Sequence, residues 1–228
     1  MSNQGNIWER EYRNPKFVTK NDGPQADTQR FLKFLKKEQK FIVEDKNILD
    51  LGCGTGRNAN YLAEQGNKVI GIEISKTALN LAKERANRLN LDVDYRFGDI
   101  GKEYEIKDES IDLVLDVTSS NSLNEIGRET YLKETHRVLK TGGYFFVRAL
   151  CKDGNKNVKN LLKASPGPEH DTYIMKEIGL TERAFSRDDF IKMYSQYFKI
   201  LKLEKKTGYT TFNNRLYKRD YWIAYMTK

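Results

Sequence analysis

The sequence predicts an α/β fold, a mostly parallel sheet covered by helices on both faces. Three observations predict it. Short apolar runs alternate with segments of helical period. A glycine-rich loop joins the first run to the helix after it, and acidic residues recur where the runs end.

Taken in chain order, residues 1–46 hold a polar lead and a helix from about Gln25 to Lys40, with Phe31, Leu32, Phe34 and Leu35 apolar. NILDL (Asn47–Leu51) reads as a first buried strand, and GCGTG (Gly52–Gly56) as a loop. The next helix carries Ala59, Leu62 and Ala63 on one face and stops at Gly66; KVIGIE (Lys68–Glu73) is a second strand. The cycle repeats. Ser75 caps a helix containing Ala78, Leu79, Ala82, Ala86 and Leu89, and the alternation over Asp92–Gly98 predicts a third strand. IDLVLD (Ile111–Asp116) is a fourth strand, followed by a helix from about Gly127 to Leu139. Thr141–Gly143 reads as a turn into a fifth strand, YFFVRAL. Residues 151–180, rich in Gly and Pro, predict a mobile insertion with a partial helix. Ser186 opens a helix with Phe190, Ile191 and Tyr194, before a strand near Phe198–Glu204. The connection from Thr207 to Arg219 is turn-rich and short for a helical crossover, so the last strand, Asp220–Met226, closes a β-hairpin.

Composition excludes several classes. With 38 % hydrophobic and 11 % aromatic residues the 228-residue chain is too apolar for a disordered polymer. No stretch approaches the ~20 apolar residues of a membrane span, and Met1–Asn14 lacks the apolar core of a secretory signal. Cys53 and Cys151 form no CxxC, so neither a disulfide framework nor a cysteine-rich zinc site is expected, and no metal site is indicated. The expectation is a cytoplasmic, single-domain protein: residues 1–46 as a lid and helix, 47–150 as a cofactor-binding core, 151–228 as a substrate-side insertion and final strands. The net charge of +8 is concentrated late: residues 151–228 hold 16 basic and nine acidic side chains, against 24 and 23 before them. Lys152, Lys156, Lys159 and Lys163 form one helical stripe, ordinarily a solvated face, alternatively a surface for an anionic substrate or nucleic acid.

The glycine loop carries the chemistry. Glycines admit a ligand close to the backbone, and the following helix offers free N–H groups. A dinucleotide fingerprint places its third glycine at position 57, which is Arg57; here that glycine comes at Gly56. Glu73, 21 residues after Gly52, is placed to accept ribose hydroxyls of either NAD or another adenosine ligand. Asp99 and Asp116 end the third and fourth strands, so with Asp50 they converge at the carboxyl edge of the sheet, beside its switch point.

LDLGCGTGRNANYLA, VIGIEIS, RFGDI, IDLVLD and RVLKTGGYFFV resemble, in order and spacing, the successive motifs of class I S-adenosylmethionine-dependent methyltransferases. The resemblance runs from about Asn47 to Ala149. It implies a Rossmann-like, seven-stranded sheet in the order 3-2-1-4-5-7-6 with strand seven antiparallel. It implies S-adenosyl-L-methionine as cofactor and S-adenosyl-L-homocysteine as product. The loop Gly52, Cys53, Gly54, Thr55 and Gly56, with Asp50 and Asn58 beside it, would face the methionine part. Glu73 would hold the ribose hydroxyls, Asp99 with the backbone of Ile100 would face the adenine, and Ile74 would also contact the cofactor. Asp116 and Val117 would lie near the donated methyl. Trp8-Glu9-Arg10-Glu11-Tyr12 resembles a lid in which an aromatic residue, Trp8 or Tyr12, closes over the cofactor.

Methyl transfer from a sulfonium is an in-line displacement, so positioning is the main requirement and a base is needed only for a protonated nucleophile. Asp116 and His170 are the candidates for that base; His136 reads as structural. Thr118, Ser119 and Asn121 follow the fourth strand, where substrate contacts begin by resemblance. Asp-Val-Thr-Ser replaces the Asn/Asp-Pro-Pro-Tyr of amino-directed base methylases, which argues against exocyclic base amines as acceptors. Tyr173, Phe185, Tyr209, Phe212 and Tyr217 are aromatics of the variable regions, suited to packing or to a cationic or planar substrate. A small-molecule acceptor is favoured. RNA or protein is the alternative, and a non-catalytic cofactor-binding module a third reading. An NAD-dependent oxidoreductase is disfavoured by Arg57 and by the lack of a Tyr-xxx-Lys pair after the fourth strand.

Overall fold

A computed structural model describes residues 3–16, 22–212 and 215–228. Nine strands and seven α-helices are described. The polar lead forms α1 (Asn3–Arg13), followed by α2 (Ala26–Glu38). The alternating core follows: β1 (Asn47–Leu51), α3 (Arg57–Glu64), β2 (Lys68–Glu73), α4 (Lys76–Arg88) and β3 (Val93–Phe97). β4 (Ile111–Val117), α5 (Glu125–Val138) and β5 (Leu139–Leu150) complete it. Beyond lie α6 (Lys156–Ala164), β6 (Thr172–Met175), β7 (Leu180–Arg183), α7 (Arg187–Tyr194), β8 (Lys199–Phe212) and β9 (Arg215–Thr227).

The main sheet runs β3-β2-β1-β4-β5-β9-β8, with β9 antiparallel to both neighbours and the others parallel. This is the seven-stranded order expected from the motifs. β1 is apolar apart from Asn47 at its start and Asp50, because both its faces are covered. Ile48 packs with Phe31, Leu62 and Leu79 under α2, α3 and α4, whereas Leu49 and Leu51 pack with Tyr131, Phe190 and Tyr194 under α5 and α7.

Three expectations are corrected. Thr141–Gly143 lies inside β5: Leu139 pairs with Ile111 and Tyr144 with Leu113, and the positive φ of Gly142 helps the strand absorb the extra residues as a bulge. Residues 151–180 are more ordered than a mobile loop, because Thr172–Met175 pairs with Leu180–Arg183 in a second, two-stranded sheet. The connection after Thr207 is two extended arms, from Thr207↔Asp220 to Phe212↔Arg215. The turn residues there are flanked by β-favouring Thr, Tyr and Leu, and Gly208 is accommodated against Tyr221. Lys156, Lys159 and Lys163 are exposed on α6, a solvated face, while Lys152 bonds Asp171.

Candidate active site

The carboxyl ends of β1, β2 and β4 meet the loop after β3 around a cavity of about 520 Å³. Gly52 and Gly54 adopt φ of +66° and +56°, reached at little cost only without a side chain. A Cβ on Gly52 would stand 2.2 Å from Ser119 Oγ, and one on Gly54 2.6 Å from Tyr12 Oη. The loop is pinned to β2 by Cys53 N–H donating to the Ile72 carbonyl at 3.0 Å.

Glu73 is held by main chain. Its Oε2 accepts from Gly54 N–H and its Oε1 from Ser75 N–H, each at 2.9 Å. Burial raises its pKa against the lowering effect of these bonds. The loop after β3 turns on Asp99, whose Oδ1 accepts from Gly101 N–H at 2.9 Å. Glu73, Ile74, Asp99, Ile100, Val117 and Gly52 all line the cavity. Thr118 lines it too, at φ +68°, an uncommon conformation for a β-branched residue.

The roof comes from α1 and from the segment that holds the accessory sheet. Trp8 and Tyr12 reach in from α1 with ring centroids 6.2 Å apart. Glu9 latches α1 to the start of α4: Ser75 Oγ–H and Thr77 Oγ–H donate to it at 2.8 Å, and Thr77 N–H at 3.1 Å. These bonds outweigh burial and bring the Glu9 pKa down to about 2. On its other side α1 is tied to the accessory sheet, Gln4 Nε2 donating to the Thr181 carbonyl at 3.1 Å and Arg10 Nη2 to that of Ile178 at 2.7 Å.

Several expected site residues stand behind the lining rather than in it. Asn58 Oδ1 accepts from Gln25 N–H, the Thr55 carbonyl accepts from Arg85, and Cys53 is buried with its thiol pKa pushed up. Asp50 is buried with Oδ2 unpartnered, and desolvation with the nearby Asp116 charge raises its pKa to about 7.

Neither candidate base faces the cavity. Asp116 is fully buried: Oδ1 accepts from Ser119 N–H at 2.8 Å, and Oδ2 from Tyr131 Oη–H at 2.7 Å. It braces the turn after β4, a correction to its expected place beside the methyl. His170 is also corrected, being exposed at the surface, 3.2 Å from Asp171 Oδ2. Asp189 joins these two within 4.8 Å, but the Asp171 carboxylate already binds Lys152. His136 packs edge-on against Phe198, in keeping with a structural role. Tyr173 and Phe185 are core residues, Tyr209 and Tyr217 are exposed, and the Phe212 side chain lies outside the described residues.

Lining residues not anticipated from the sequence include Gln4, Ser122, Leu123, Glu169, Thr172 and Thr181. Glu169 Oε1 accepts from Glu125 N–H at 2.9 Å, joining the insertion to α5. The one signal was Pro168, marking a turn in the insertion; the spatial return of residues 168–183 over the sheet edge has no local signature.

Fold and site together define a Rossmann-like protein that binds an adenosine-type cofactor at the carboxyl edge of its sheet. A methyltransferase-domain family description matches residues 48–143. An uncharacterized methyltransferase of Schizosaccharomyces pombe is 32 % identical over 107 residues, covering 47 % of this chain and 73 % of that protein. The ubiquinone biosynthesis O-methyltransferase of Pelagibacter ubique is 32 % identical over 135 residues. That match covers 59 % of this chain and 51 % of the relative, so the chain spans about half the relative's length. A SAM-dependent methyltransferase structure from Methanosarcina mazei superposes with a TM-score of 0.74 at 22 % identity, covering 83 % of this chain and 95 % of that one. The chain belongs to the class I S-adenosylmethionine-dependent methyltransferases. No helix among the described residues is long and apolar enough to cross a membrane.

Proposed function

We propose that this chain transfers a methyl group from S-adenosylmethionine to a small-molecule acceptor inside the roofed cavity. One observation carries the reading: Gly52 of the glycine loop, Glu73 and the Asp99 turn line a single cavity beneath Trp8 and Tyr12. The cavity falls within the range of about 300–1,000 Å³ usual for small-molecule sites. Its fit to the cofactor rests on two features. The backbone is bare at Gly52, where a Cβ would overlap Ser119, and the Glu73 carboxylate lines the wall with both oxygens fixed by main-chain donors. When bound, S-adenosylmethionine supplies a methyl already activated by its sulfonium charge.

Within this reading the chain's own residues divide the work. Glu73 accepts the ribose hydroxyls, Ile74 and Ile100 flank the base, and Asp99 orients its edge. Gly52 and Val117 receive the methionine portion. Trp8 and Tyr12 exclude water from above, and the β6–β7 side of the roof bounds the acceptor. With Asp116 and His170 away from the cavity, positioning is the principal source of rate, worth up to ~7–11 kcal/mol in favourable cases. Glu169 is the carboxylate on the acceptor side. The Pelagibacter relative's name, a ubiquinone biosynthesis O-methyltransferase, supports an acceptor of small-molecule class.

Calorimetric titration with S-adenosylhomocysteine tests the cofactor assignment. Glu73→Ala is expected to weaken binding about tenfold or more, the scale of losing charge-assisted hydrogen bonds; unchanged affinity refutes the ribose contact. Incubation with labelled S-adenosylmethionine and fractionated cell extract tests the acceptor class: label is expected in metabolites, and label confined to RNA or protein overturns the small-molecule reading.

A further inference from the structure

Two arginines, Arg128 buried and Arg183 half-buried, stand behind the end of the cavity lined by Ser122, Leu123, Glu169 and Thr181. Arg128 follows the cavity-lining Gly127 on α5 and is 2 % exposed. Its Nη2 donates to the Leu123 carbonyl, but Nε and Nη1 are buried without a hydrogen-bond partner. Arg183 ends β7 two residues after Thr181, which places both side chains on one face of the strand. Its Nε is likewise buried and unpartnered. Both guanidinium groups stand over the Phe185 ring, at 5.7 and 4.9 Å from its centroid.

Such a pair is unfavourable by itself. Burial strips water from the donors, and like charges repel across the ring. Desolvation and the Arg183 charge accordingly bring the Arg128 pKa down to about 10. Glu169 and Glu125 attract Arg128, yet neither forms an ion pair with it among the described residues, and Glu169 Oε1 is engaged by the Glu125 N–H. The contrast lies on the opposite face of β7. There Arg219 is neutralised by Glu182 at 2.8 Å, with Tyr173 Oη–H donating to the same carboxylate oxygen at 2.8 Å. Arg219 thus has its counter-ion within the fold, which Arg128 lacks among the described residues.

We propose that Arg128 and Arg183 receive an anionic group of the methyl acceptor, a carboxylate or a phosphate, at this end of the cavity. The proposal rests on the methyltransferase reading and narrows its acceptor class. Planar guanidinium forks suit either anion, and an arriving negative charge satisfies the stranded N–H groups while orienting the rest of the acceptor.

The test is calorimetric titration of the full chain with sodium phosphate and, separately, sodium acetate, against sodium chloride at equal ionic strength. It is run with and without S-adenosylhomocysteine. Saturable heat from phosphate or acetate is expected, and the anion that gives it identifies the group. Binding should be at least tenfold weaker in Arg183→Gln and partly retained in Arg183→Lys, with melting curves confirming that both variants are folded. Saturable heat from neither anion, or equal binding by Arg183→Gln, overturns the proposal. Anion binding by a wild-type chain that fails to bind S-adenosylhomocysteine breaks the methyltransferase reading and leaves the anion site standing.

Discussion

The floor and the roof of the cavity are built by different means. The floor is main chain and strand ends: Glu73 is fixed by two backbone N–H groups, the glycine loop by the Ile72 carbonyl, and Asp116 by the turn it braces. The roof is held by side chains reaching across from α1, through Gln4, Glu9 and Arg10. A floor made of backbone cannot be altered without disturbing the sheet. A roof made of a few side-chain bonds can open and leave the sheet intact.

The sharpest way to break the contrast is at Gly52. Gly52→Ala combines a left-handed φ with a Cβ placed 2.2 Å from Ser119 Oγ. Strain and overpacking together should remove about 3–5 kcal/mol of stability and with it cofactor binding. Thermal melting and calorimetry check this; a variant that melts and binds like the wild type would show that the floor yields as readily as the roof.

A second test uses the buried charge under the floor. Asp50 has its folded pKa raised to about 7 from an ordinary value near 3.8. Its neutral form is therefore favoured in the fold: the associated stability is present in full below the unfolded pKa and is lost as pH rises through about 7. Asp50→Asn, which removes the charge, should gain stability relative to wild type between pH 4 and pH 8, on the order of 4 kcal/mol. Denaturant titrations across that range would show the trend; a pH-independent difference sinks it.

The smallest effect is expected at the roof. Glu9→Gln weakens the latch on α4 without touching the sheet. Amide exchange in α1 should accelerate about five- to tenfold near pH 6, the scale of ~1 kcal/mol, while protection in β1 and β4 stays constant. Because the folded pKa of Glu9 is depressed to about 2, wild-type latching is present above its unfolded pKa of about 4.5 and fades as pH falls toward 2. Equal acceleration in α1 and β1 would mean that roof and floor open as one unit.

How much was legible in the sequence follows the same division. The floor is local: each strand end, loop glycine and capping residue sits within one β–loop–α unit, and the 3.6- and 2-residue periods locate them. Glu73 and Asp99, located by their place at strand ends, line the cavity, as do Ile100 and Val117, which only the family resemblance pointed to. The roof is non-local. β6 and β7 are four residues each and lie among Gly and Pro, so neither period could develop. Gln4 meets Thr181 across 177 residues, a contact that no local pattern encodes. Asp116 failed for a different reason. Position at a strand end does not say which way a carboxylate turns, and Tyr131, on the helix packed behind it, draws Oδ2 inward. His170 has the chemistry of a base and lies in the insertion, but its position in that loop leaves it facing water.

The strand order has a consequence for how the molecule is assembled. β9, the latest strand in sequence, is an interior one, hydrogen-bonded to β5 on one side and β8 on the other. Until residues 215–227 are in place, the five parallel strands end in an open edge at β5, whose Phe145, Phe146 and Val147 lack their lateral cover. An exposed apolar edge of this kind is a template for pairing with other chains. The order in which the strands are made thus sets the interval during synthesis when the nascent protein is most prone to aggregate.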